Sequence, residues 1–80
     1  MFITVHTDRE HKEFVAINVN HIAYIEGSRI TDIDDDSKGI EVSCIQIAGS
    51  SKEILAYDSY NDVIRMIHNA CGATTYVHIV

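Results

Sequence analysis

Long apolar runs are missing from this 80-residue chain. No stretch reaches the 18 or more apolar residues that a membrane-spanning helix needs, so the chain is expected to be soluble and to have no membrane partner. Its first residues, Met1 to His6, lack a basic region, a long apolar stretch and a small-residue cleavage site, which argues against a secretory signal and for a cytoplasmic location. Basic residues are scarce as well. Six Lys and Arg against twelve Asp and Glu leave a formal net charge of −6 and a pI near 5.1. A phosphate backbone is held by a basic patch. Here the six cations are scattered, so nucleic acid is not an expected partner. Cysteine is limited to Cys44 and Cys71, far apart in the sequence. Without a secretory signal both are expected to stay reduced and to serve as small apolar residues. The four glycines, Gly27, Gly39, Gly49 and Gly72, stand singly, so no glycine-rich loop is available to cradle a phosphate.

What remains is a polypeptide with 46% apolar residues, ample for a core and too high for disorder. Its length sets one domain, residues 1–80, with modest stability on the order of 5 kcal/mol. Residues 2–7 and 12–18 read as strands, being rich in β-branched and aromatic residues, with Asp8-Arg9-Glu10-His11 as the turn between them. Residues 21–26 read as a third strand, stopped by Gly27-Ser28, although Arg29-Ile30-Thr31 could continue a strand. Residues 40–48 make the longest strand. Its apolar phase changes between Val42-Cys44 and Ile45-Ile47, which predicts a bulge near Cys44-Ile45 or burial on both faces. A turn at 49–52 leads to a fifth strand at 53–57. Tyr60, Val63, Ile64, Ile67 and Cys71 then fall on one helical stripe. Asp58 or Ser59 can cap that helix, with Ser59 and Asp62 spaced as a capping box, and Gly72 is placed to end it. Residues 74–80 return as a sixth strand.

The fold expected is therefore α+β, in the order βββββαβ, a curled antiparallel sheet or small barrel of five to six strands with one helix. One helix cannot cover both faces of such a sheet. Either the sheet closes on itself or a second copy covers the open face, so a homodimer or higher oligomer is expected.

The segment Ile17 to Glu26, with Asn18-Val19-Asn20-His21-Ile22 at its centre, is followed about thirty residues later by Ala56 to Ile67, which opens Ala56-Tyr57-Asp58-Ser59-Tyr60. Together they resemble the FlbD-like small proteins, which are linked to flagellar and swarming motility. The same strand-end wording is similar to parts of LytTR-type DNA-binding domains and to short bacterial and phage proteins. The resemblance spans roughly residues 2–68. It implies two hairpins, a capped helix and a small regulatory protein of bacterial or phage type. The loop holding Asp32 to Asp36 and the strand after Gly72 depart from the pattern. The scarcity of basic residues runs against a LytTR-like role.

Asp32, Asp34, Asp35 and Asp36 are the sharpest local feature, carrying four of the negative charges; −6 less these four leaves −2 elsewhere. Asp32-x-Asp34-x-Asp36 matches the first three ligand positions of a calcium loop, but Ser37 and Ser43 stand where that loop needs Gly and Glu. The cluster reads either as a solvated loop or as an acidic contact for a basic partner protein. The five histidines lack the spacing of a helical zinc site. They read as structural or surface residues, and His6, His21 and His78 meet only if their strands are neighbours in register. No metal ligand set and no cofactor are assigned. No serine or cysteine has a base and an orienting acid at a diagnostic spacing, so no enzyme is expected. The four tyrosines read as core edges rather than a platform for bases. The resulting expectation is a non-catalytic interaction or regulatory protein. It acts as an oligomer and meets an unidentified protein through the acidic loop or a sheet edge. The alternatives are a small ligand- or metal-binding protein and a nucleic-acid-binding regulator.

Overall fold

The computed structural model describes residues 1–31 and 39–71. The acidic cluster of Asp32, Asp34, Asp35 and Asp36, the glycine stop at Gly72 and the sixth strand at 74–80 lie outside the described residues. Strand β1 (Phe2–His6) pairs antiparallel with β2 (Phe14–Asn18), Val5 facing Val15 and Ile3 facing Ile17. A single 3₁₀ turn, Val19–His21, separates them from β3 (Ile22–Ile30), β4 (Ile40–Ile47) and β5 (Glu53–Ala56), which form a second antiparallel sheet with β4 at its centre. Helix α1 (Tyr60–Cys71) follows.

The expectation of one curled sheet or barrel is corrected here. Among the described residues there are two antiparallel sheets, of two and three strands, and no closed barrel. The local cause is the 3₁₀ turn. The Asn18 side-chain oxygen accepts the N–H of Asn20 at 3.0 Å, a cap that turns the polypeptide off the β2 line before β3 begins. β2 and β3, neighbours in sequence, are therefore not neighbours in a ladder.

Strand limits also shift for identifiable reasons. Lys12 and Glu13 are not in β2, because both of their N–H groups go to the Asp8 carboxylate at 2.8 Å. β3 does not stop at Gly27 but runs on to Ile30, paired as far as Ile40. Gly27 is a close-approach residue rather than a stop: a Cβ there would lie 3.0 Å from Tyr60 Cβ. The predicted irregularity near Cys44-Ile45 is absent, since β4 pairs regularly with β5 from Ser43 to Gln46. The register shift falls between Ile22 and Tyr24 on β3. Burial on both faces is what β4 shows, with the adjacent residues Val42 and Ser43 both buried.

The helix starts as its sequence says. Ser59 Oγ accepts the Asp62 N–H at 3.1 Å, so Ser59 is the cap and Asp58 is left for another role. Val63 and Ile67 point inward from α1 onto Ile3, Val5 and Ile17 of the hairpin and Ile45 and Ala56 of the three-stranded sheet. The helix thus touches β1, β3 and β4. This shared core fastens the two sheets together. One backbone hydrogen bond adds to it, Tyr57 N–H donating to His6 C=O at 2.7 Å, while Val19 N–H donates to Met1 C=O at 2.9 Å and lengthens the β1–β2 ladder. No helix is long and apolar enough to cross a membrane among the described residues.

Candidate functional site

Where the end of β1 meets the β5–α1 junction, three metal-ligating residues converge. His6 closes β1. His11 lies in the turn between β1 and β2. Asp58 stands two residues after β5. One potential ligand atom from each lies within 4.8 Å of the others. Asp58 is buried, His6 is half-buried and His11 is exposed, so the cluster has a closed floor and an open top.

Each position has a local cause. Asp58 is clasped from two directions: its Oδ2 accepts the His6 backbone N–H at 2.8 Å, and its backbone carbonyl accepts Ser43 Oγ–H at 2.8 Å. Its Oδ1 sits 3.1 Å from His6 Nδ1. A carboxylate only accepts, so the His6 proton in this contact is on Nδ1. His11 is set by the turn. The Asp8 carboxylate takes the N–H groups of Lys12 and Glu13, and Asp8 C=O accepts the His11 N–H at 3.2 Å. The bonds to its carboxylate, that of Glu13 foremost, hold the Asp8 carboxyl below its ordinary value of 3.8. The turn places His11 at φ 59°, a left-handed conformation uncommon outside glycine. The His11 ring lies parallel to that of His6, centroids 4.2 Å apart and planes 10° apart, and its Nε2 donates to Tyr57 C=O at 2.7 Å.

This geometry reassigns several sequence readings. Asp58, read as a possible helix cap, instead ties β1 to the helix entrance. His6 meets His11, not His21. His21 ends the 3₁₀ turn exposed, and His78 lies outside the described residues. The sequence signal for the cluster is slight: two histidines flanking a turn, five apart, plus an aspartate next to a helix start. Neither Cys44 nor Cys71 forms a disulfide. Cys44 is half-buried beside Glu26 and Glu53; burial, then the Glu53 carboxylate, push its thiol above its ordinary value of 9.0. That is the wrong direction for a nucleophile at neutral pH.

The second feature is the outer face of the hairpin. Phe2, Thr4, Phe14 and Ala16 are exposed there, the phenylalanines at 63% and 65%. Among the described residues β2 pairs only with β1, so its other edge has no ladder partner there. A groove of about 320 Å³ between Gly27, Val42 and Tyr60 is less informative, because its charged residues, Arg29 and Glu41, pair with each other at 3.3 Å. Compared with protein-family models, curated proteins and solved structures, the chain matches none.

Proposed function

We propose that this protein is a non-catalytic interaction module that works as an oligomer, joined through the β2 edge and the outer face of its N-terminal hairpin. The observation that carries this reading is the exposure of Phe2 and Phe14, 63% and 65%, on a sheet face bordered by a β2 edge that has no ladder partner among the described residues. Exposed strand edges are usually blunted with proline or charge, and Phe14–Asn18 contains neither. Burying each phenylalanine is worth about 1.5–3 kcal/mol, enough for a pair of them to favour association. The occupant is a second copy of this chain. Two-fold self-pairing of β2, centred on Ala16, would extend the hairpin into a four-stranded sheet, and two-fold dimers are the commonest oligomers.

The acidic cluster of Asp32, Asp34, Asp35 and Asp36 is proposed, on its sequence, as the contact for a basic protein partner, with the net charge of −6 steering the encounter. A non-catalytic role is supported by the raised thiol at Cys44 and by Ser43, whose hydroxyl is buried and committed to the Asp58 carbonyl.

Sedimentation equilibrium tests the oligomer. The wild-type protein is expected to sediment as a dimer, and the double variant Phe14→Ser, Ala16→Lys as a monomer with unchanged far-ultraviolet dichroism. A wild-type protein that is monomeric at every concentration, or a variant that remains dimeric, overturns the assignment of this face.

A further inference from the structure

We propose that His6, His11 and Asp58 form a binding site for a late first-row divalent cation, best probed with Zn²⁺. Two imidazoles and one carboxylate are a donor set that suits Zn²⁺, Ni²⁺ or Co²⁺. Ca²⁺ and Mg²⁺ prefer oxygen throughout. Three protein ligands with the remaining position open to water is the arrangement of an accessible zinc site.

The distances are close to what such an ion requires. Ligands about 2.0–2.2 Å from a tetrahedral ion stand about 3.3 Å from one another. His6 Nδ1 and Asp58 Oδ1 are already 3.1 Å apart, and one ring nitrogen of His11 belongs to a three-residue donor set spanning no more than 4.8 Å. The ion takes the place of the proton that His6 Nδ1 shares with Asp58, and the neutral ring keeps its single proton on Nε2. His11 has the least to give up, being exposed and standing on a turn. Its ring must tilt out of the parallel stack with His6 to aim a lone pair at the same point.

The surroundings support His11 and Asp58 as a metal site does. Ligating histidines usually donate their second ring N–H to a carbonyl or carboxylate. His11 Nε2 already donates to Tyr57 C=O at 2.7 Å, which leaves Nδ1 as the donor atom. Asp58 is immobilised by the His6 N–H and by Ser43, so the carboxylate is preorganised before any ion arrives. The bound ion would link the 7–13 turn to the helix entrance, adding a cross-link between segments more than forty residues apart.

Titration calorimetry with ZnCl₂ in a non-chelating buffer, together with nitrogen-15 spectra of the histidine rings, tests the site. One Zn²⁺ per protein molecule is expected, with ring shifts at His6 and His11 and not at His21, His68 or His78. Ca²⁺ and Mg²⁺ should produce neither. His11→Asn is the informative variant, because asparagine tolerates the left-handed backbone at this position and the fold should survive. It should weaken Zn²⁺ binding at least tenfold, whereas His68→Gln should leave it unchanged. The result is separable from the hairpin interface with the single variant Ala16→Lys, whose position pairs with Thr4 rather than with a ligand and which should still bind one ion. Absence of Zn²⁺ binding, ring shifts confined to other histidines, or wild-type affinity in His11→Asn overturns the proposal.

Discussion

Asp58 shows how one residue can be legible in kind and illegible in role. Its place before a helix start makes a cap the economical reading, and Ser59 next to it does that work instead. The carboxylate is drawn away by a backbone N–H fifty-two residues earlier, and no local pattern announces that bond. Ser43 is the quiet partner in this arrangement. Its hydroxyl is fully buried and donates to the Asp58 carbonyl at 2.8 Å. Ser43→Ala removes the donor and leaves a carbonyl in a dry setting without a bond from this position. The cost should be about 1–3 kcal/mol. Urea denaturation should show a lower midpoint with an unchanged slope. An effect within error of zero would mean that the carbonyl finds another donor. His11, by contrast, could not be placed at all from composition. Its left-handed backbone is made by the Asp8 carboxylate gathering two N–H groups, a turn whose polarity is visible in the sequence but whose direction is not.

At the scale of the element, the helix and the hairpins are readable because their causes are local. The stripe of Val63, Ile64 and Ile67, the serine cap and the paired Asp62 all act within one or two turns. Ser59→Ala should therefore cost about 1 kcal/mol, the usual worth of an N-cap. Amide exchange should quicken most in the first turn of α1, where the Asp62 N–H loses its acceptor. Uniform acceleration over the whole protein would show instead that the helix end does not open by itself. The elements that depart from expectation are those settled by neighbours. β3 continues through Gly27 because β4 pairs alongside it, and because the missing side chain admits Tyr60. A glycine within a run of strand residues reads equally as a stop or as a close approach, and only the arrival of the helix distinguishes them.

The whole molecule rests on a small core. Ile3, Val5, Ile17, Ile45, Ala56, Val63 and Ile67 draw on both sheets and the helix, so no element carries a core of its own. Ile45, fully buried at the centre of β4, should be the most costly to truncate. Ile45→Ala should lose about 2–5 kcal/mol, comparable to the total stability expected for a protein of this size. Its far-ultraviolet dichroism should show a largely unfolded protein at 37 °C, whereas Ile45→Val should remain folded. A stable Ile45→Ala variant would mean that a further contact, such as association through the hairpin, holds the fold. The sequence by itself determined the five strands and the helix of the described residues and the antiparallel pairing within each hairpin. These follow from side-chain period and turn chemistry, which act over a few residues. Tertiary structure alone decided that the strands divide into two sheets around the helix, and that His6, His11 and Asp58 come together. The first depends on how a single 3₁₀ turn redirects the polypeptide, and the second on contacts between residues more than forty positions apart, where sequence pattern carries no distance information.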